Sequence, residues 1–167
     1  MKIEGNAVKL GDNINTDFII SGRYKFSITD ISELAKHLME DIDPNFTSRI
    51  TPGKSILVAG KNFGMGSSRE QAPLVIREAG ITAVLAKEFA RIFFRNSFNI
   101  GLPVIETDTD QIDDTDRLHL DLDRGVIRNI TRGIQLRAHP VPAFMQELLH
   151  AGGVVQYLKK YGKLPDV

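Results

Sequence analysis

The chain has 167 residues, 42% hydrophobic and 25% charged, which suits one domain over 1–167 with a sizeable buried core. Its 21 Lys and Arg balance 21 Asp and Glu, so no bulk charge draws it to nucleic acid or to an anionic membrane. No apolar run approaches the ~18 residues of a membrane span, and the stretch Met1-Lys-Ile-Glu-Gly5 lacks a signal-peptide core; both readings place the chain in the cytoplasm.

Cysteine is absent, which excludes disulfides, thiol chemistry and cysteine-ligated iron–sulfur or zinc sites within this chain. His37, His119, His139 and His150 are scattered without metal-ligand spacing, so no metal site is expected here.

Residues 3–9 alternate loosely and predict a first strand. Residues 10–17 form a turn cluster, and Phe18-Ile-Ile20 reads as a second strand or a strand end. Residues 21–27 carry Arg23, Tyr24, Lys25 and Phe26, where a lysine between two aromatics is ordinarily a solvated side chain. Residues 28–40 predict a helix capped by Thr29 or Asp30, with Ile31, Leu34, Ala35 and Leu38 as its apolar face. A polar loop over 40–48 and a turn at Pro52-Gly53 follow.

The most informative stretch begins at residue 55. Residues 55–59 are a short β-branched apolar run that predicts a buried strand. Gly60, Gly64 and Gly66 follow within seven residues, then Ser67-Ser-Arg-Glu-Gln71 and a helical run to Ala79, ended by Gly80. Ser67 or Ser68 reads as the N-cap, with Glu70 or Gln71 closing a capping box. Strand, glycine turn and helix start would then aim backbone N–H groups, two hydroxyls and the Arg69 fork at one spot fit for a carboxylate or phosphate. The plainer reading is that the glycines only turn the chain and Ser68 only caps the helix. The segment is neither a Walker A loop nor Gly-x-Ser-x-Gly.

Residues 81–86 predict a second buried strand, so 55–86 reads as a βαβ unit with parallel strands. Residues 89–97 predict a helix with Phe89, Ile92 and Phe93 inward; Arg91 and Arg95 share its other face, either solvated or meeting acidic groups of a partner. Val104-Ile105 is a short strand. The acidic run 106–116 lacks the glycine and terminal Glu of a calcium loop and reads as a solvated connection. Residues 118–122 and 126–130 predict a hairpin around Asp123-Arg-Gly125, extended by 134–136. Helices over 142–151 and 154–161, separated by Gly152-Gly153, close the chain.

Gly60-Lys-Asn-Phe-Gly-Met-Gly-Ser-Ser-Arg-Glu-Gln-Ala-Pro73 resembles the active-site signature of the aconitase swivelling domain, and Gly11-Asp-Asn-Ile-Asn-Thr-Asp-Phe-Ile-Ile20 is similar to that family's second signature. Standing alone in so short a chain, these motifs are most similar to the small subunits of 3-isopropylmalate dehydratases, from about Gly5 to about Lys160. The resemblance implies an α/β fold, swivelling-domain-like, with layered β/β/α architecture, a mixed sheet and a βαβ core. It implies a hydro-lyase subunit that isomerises 2- and 3-isopropylmalate by dehydration and rehydration in leucine biosynthesis; homoaconitase and dimethylmalate dehydratase small subunits are the near alternatives. It assigns Ser67 as base, Arg69 as carboxylate clamp and Asp17 as a catalytic-site residue that orients polar groups. Ser68, Arg23, Tyr24, Lys25 and Phe26 would bind substrate, with Lys25 a departure from the apolar loop of isopropylmalate enzymes. It also implies a [4Fe–4S] cluster carried by a large-subunit partner, in a heterodimer or heterotetramer. From another class stands a rival: a stand-alone module in which the Ser-Ser-Arg turn only grips a carboxylate.

Overall fold

The structure is a computed structural model, and it describes residues 1–24 and 26–166. The expectation for Lys25 lies outside the described residues. Seven strands make one mixed sheet: β1 (Lys2–Lys9), β2 (Ser55–Val58), β3 (Ile81–Ala86), β4 (Val104–Glu106), β5 (Arg117–Asp121), β6 (Val126–Asn129) and β7 (Ile134–Arg137), in the order β4-β3-β2-β1-β5-β6-β7. Helices are α1 (Thr16–Ile19), α2 (Ile31–Ala35), α3 (Gln71–Glu78), α4 (Arg91–Asn99), α5 (Ala143–Ala151) and α6 (Val154–Tyr161), with 3-10 turns at Gly22–Tyr24, Phe46–Arg49 and Thr109–Gln111.

The sheet divides into two halves, and composition explains the division. β2 is buried at every position and β3 at all but Thr82, as continuous apolar strands are when both faces are covered. β1 through β4 pair in parallel, and α3 makes the crossover from β2 to β3, the expected βαβ unit. β5, β6 and β7 are antiparallel and alternate between buried and more exposed positions, the mark of a sheet with one solvated face. β1 joins the halves, parallel to β2 on one side and antiparallel to β5 on the other.

Four local expectations change. Residues 18–20 are not a strand: the Asn15 side chain accepts the Phe18 N–H at 2.9 Å and caps the one-turn helix α1. The helix expected over 28–40 is regular only over Ile31–Ala35, with Asp30 as its cap; turns then carry the chain on and bury Leu38 and Met39. α4 starts at Arg91 rather than Phe89, and its inner face is Phe93, Ser97 and Phe98, leaving Ile92 48% exposed. The acidic connection is not wholly solvated. Ile112 and Asp116 turn inward, and the Asp116 carboxylate accepts from Asn129 Nδ2 at 2.6 Å and from the Asp113 N–H at 2.8 Å.

No described helix is long and apolar enough to cross a membrane.

Candidate active site

The two segments singled out in the sequence lie side by side beyond the carboxyl ends of β1 and β2, the end of a parallel sheet where ligands bind. Backbone hydrogen bonds zip them together. Leu10 N–H donates to Val58 O at 2.8 Å, Asn13 N–H to Lys61 O at 2.8 Å, Gly64 N–H to Ile14 O at 2.8 Å and Thr16 N–H to Met65 O at 2.9 Å. Asp12 accepts the Lys61 N–H at 2.8 Å, and Asn62 Nδ2 donates to Asn13 Oδ1 at 3.0 Å.

Phe63 anchors the glycine loop. It is fully buried and meets Phe89 and Phe93 edge-on, at 5.9 and 5.2 Å between ring centroids. Gly64 lies directly over Phe93, where a Cβ would come within 2.3 Å of the ring; its φ of 79° and the 95° of Gly66 are left-handed values that glycine adopts without strain.

Ser67 and Ser68 are not helix caps. α3 begins at Gln71, Glu70 holds the N-cap position, and no side-chain bond closes there. The serines instead occupy an exposed loop, and with Arg69 they line a cavity of about 290 Å³. Gly64, Gly66 and Thr16 complete that wall, and the facing wall is the first turn of α4 together with Asn96. The helix dipole whose positive end borders the site is therefore that of α4.

Arg69 is held rather than free. Nη2 meets Asp17 Oδ1 at 2.6 Å, Nη1 donates to Ile20 O at 3.3 Å, and the guanidinium lies over Gly22, where a Cβ would sit 3.0 Å from Nη2. The Arg69 side chain is 22% exposed and that of Asp17 60%, so the pair is reachable from solvent.

Thr16, Arg91 and Asn96 escaped the sequence reading as site residues. Thr16 is buried, and its Oγ1 donates to Ser67 O at 2.9 Å, fixing the serine's backbone. Its signal was its place inside the second motif; Arg91 had been weighed only as a solvated or partner-facing residue, and Asn96 gave no signal.

Arg23 and Tyr24 are not among the residues lining the Ser67–Arg69 cavity. Arg23 Nη2 bonds Glu40 at 2.5 Å and Asp41 at 2.9 Å, the Tyr24 hydroxyl also donates to Glu40, and the Tyr24 ring stacks on His37 at 4.1 Å. Phe26 is 91% exposed.

A mixed sheet with a βαβ core, carrying a Ser-Ser-Arg loop zipped to an Asn-Ile-Asn-Thr-Asp turn, is the build of an aconitase-type swivelling domain. The family described as the aconitase C-terminal domain matches residues 19–110. The 3-isopropylmalate dehydratase small subunit 2 of Archaeoglobus fulgidus is 54% identical over 98% of this chain and 99% of that protein. The small subunit 1 of Thermotoga maritima is 49% identical over 99% of each. A crystal structure of 3-isopropylmalate dehydratase from Methanocaldococcus jannaschii is 46% identical, superposes with a TM-score of 0.91, and the match covers 97% of this chain and 96% of that one. The chain belongs to the aconitase C-terminal domain family, among its 3-isopropylmalate dehydratase small subunits.

Proposed function

We propose that this chain is the small subunit of a hydro-lyase that interconverts 2- and 3-isopropylmalate by loss and re-addition of water, as a step of leucine biosynthesis in the cytoplasm, and that it works only beside a large subunit. The observation that carries the reading is the cavity lined by Ser67, Ser68 and Arg69 together. Ser67 takes the proton α to a carboxylate. A free serine hydroxyl is too weak an acid for this, so its alkoxide needs the positive surroundings that Arg69, Arg91 and the first turn of α4 supply. As the C–H electrons move toward the carboxylate, negative charge gathers on its oxygens, and the Arg69 fork is the clamp that stabilises it. Asp17 and Ile20 use two of the guanidinium's five donors and leave the other three for substrate.

Ser68 binds the substrate beside Ser67. The segment bearing Arg23, Tyr24, Lys25 and Phe26 borders the variable group of the substrate, and the exposed Phe26 ring suits an isopropyl substituent.

A [4Fe–4S] cluster, which acts as a Lewis acid on the departing hydroxyl, belongs to the large subunit in this reading. This chain does not fit it: there is no cysteine, and no group of three or more potential metal ligands occurs among the described residues.

Mixing the purified chain with a cluster-loaded large subunit tests the proposal. The pair should dehydrate isopropylmalate, followed by the ultraviolet absorbance of the unsaturated product, while the chain alone does not. Turnover of homoaconitate or dimethylmalate but not isopropylmalate, or tight dicarboxylate binding by the lone chain with no turnover in the pair, would overturn it.

A further inference from the structure

Glu40 lies outside the cavity, and three polar side chains converge on its carboxylate. Its side chain is 21% exposed, at the end of the turns that follow α2. One oxygen accepts from Arg23 Nη2 at 2.5 Å and from the Tyr24 hydroxyl, and the other faces His37 Nδ1 at 2.7 Å. The Tyr24 ring is pinned further by its stack on His37, and the Arg23 guanidinium lies 5.1 Å from the centre of that ring. Arg23, Tyr24, His37 and Glu40 thereby lose rotamer freedom together, a cost that a connection needing only to turn would not carry. The carboxyl is suited to holding them. Burial pushes its pKa up, but the hydrogen bonds from Tyr24, Arg23 and His37 outweigh that and hold it at about 2.

The segment fastened this way is the one on which Arg69 rests. Gly22, next to Arg23, is the residue beneath the guanidinium, and Ile20 supplies the carbonyl that Nη1 bonds. A second tie runs parallel, from the Met39 N–H to Ile19 O at 3.0 Å. Residues 37–41 therefore hold residues 19–24, and residues 20–22 form the seat of Arg69.

We propose that Glu40 is a positioning residue for the Arg69 carboxylate clamp: by gathering Arg23, Tyr24 and His37 it fixes the backbone seat at Ile20 and Gly22 on which the guanidinium lies. Its kinetic consequence rests on the dehydratase reading above; its structural consequence does not. Without the carboxylate the 20–24 segment loosens, Arg69 swings between seats, and the substrate carboxylate is held less firmly while the proton-abstracting Ser67 is untouched.

The test uses Glu40→Ala and the gentler Glu40→Gln, each in the full chain. In the reconstituted two-subunit enzyme, Glu40→Ala should lower kcat/KM by about 10-fold or more with KM raised, because Arg69 both holds the substrate carboxylate and steadies its growing charge, and Glu40→Gln should fall between it and the parent, as expected for loss of charge-assisted hydrogen bonds. In the isolated small subunit, hydrogen exchange at the amides of Tyr24, Ser27 and Ile28, which bond Ser21 O and Tyr24 O, should quicken by about 10-fold or more while the global melting temperature holds. An unchanged KM, a fall in kcat at constant KM, or unchanged exchange at those amides overturns the proposal. If the parent pair shows no turnover, the functional reading fails, and the exchange result alone decides whether Glu40 holds the seat.

Discussion

Arg69 is the residue on which chemistry and structure meet most closely. Its planar fork is shared between Asp17 and Ile20, an arrangement a lysine ammonium cannot reproduce because it offers a point charge rather than paired donors. Arg69→Lys in the reconstituted enzyme should lower kcat/KM by about 10- to 100-fold, the loss of one or two hydrogen bonds to a charged group, with the melting temperature little changed. Gly22→Ala probes the same contact from beneath. The added methyl would press on the end of a flexible side chain rather than on backbone, so stability should hold while KM for the hydroxy-acid rises. A Gly22→Ala enzyme with parent-like KM would show that the guanidinium is not seated there during turnover.

At the scale of elements, the site is two loops zipped by main-chain bonds and pinned by an aromatic cluster. Phe63 is the pin. Phe63→Ala removes a fully buried ring from its edge-on contacts with Phe89 and Phe93 and should cost about 3–5 kcal/mol in denaturant unfolding. Its activity loss should exceed that of a comparably destabilising change in β6, because the loop bearing Ser67 hangs from this ring.

The tie between the 21–24 segment and the turns after α2 predicts a pH dependence. Glu40 has a lowered pKa in the folded state, so the stability it contributes is complete above its ordinary value of 4.5 and is lost as pH falls toward about 2. The groups facing it are Arg23, His37 and Tyr24, with Asp41 alongside on Arg23. Protection at the Tyr24, Ser27 and Ile28 amides, measured as exchange relative to the intrinsic rate at each pH, should therefore fall across that acid range, and Glu40→Gln should remove that fall.

For the whole molecule, β1 is the joint. It is the first strand in sequence, yet it lies in the middle of the sheet, between β2 and β5. Its partners begin at Ser55 and Arg117, so the sheet closes only through distant pairings, which form slowly. A chain lacking residues 2–9 would expose an edge of β2 and an edge of β5 at once. It should show no cooperative thermal transition by circular dichroism, whereas the full chain should show one.

The amino-acid sequence by itself determined the strands and most of the helices, because β2, β3 and the β5–β6 hairpin carry their periodicity in consecutive residues. It also grouped the side chains of the candidate site, because Ser67, Ser68 and Arg69 are adjacent in the chain. Tertiary structure decided what depends on distant neighbours. Residues 18–20 look like a strand until Asn15 caps them into a turn of helix; Ser67 and Ser68 look like caps until α3 is seen to start at Gln71. That α4 rather than α3 presents its first turn to the cavity, that Asp17 and Gly22 seat Arg69, and that Arg23 and Tyr24 are gathered by Glu40 are contacts between segments 16 to 52 residues apart. Side-chain periodicity reports which face of an element is buried, not which distant element it meets, and those meetings are what seat the Arg69 guanidinium on Asp17 and Ile20.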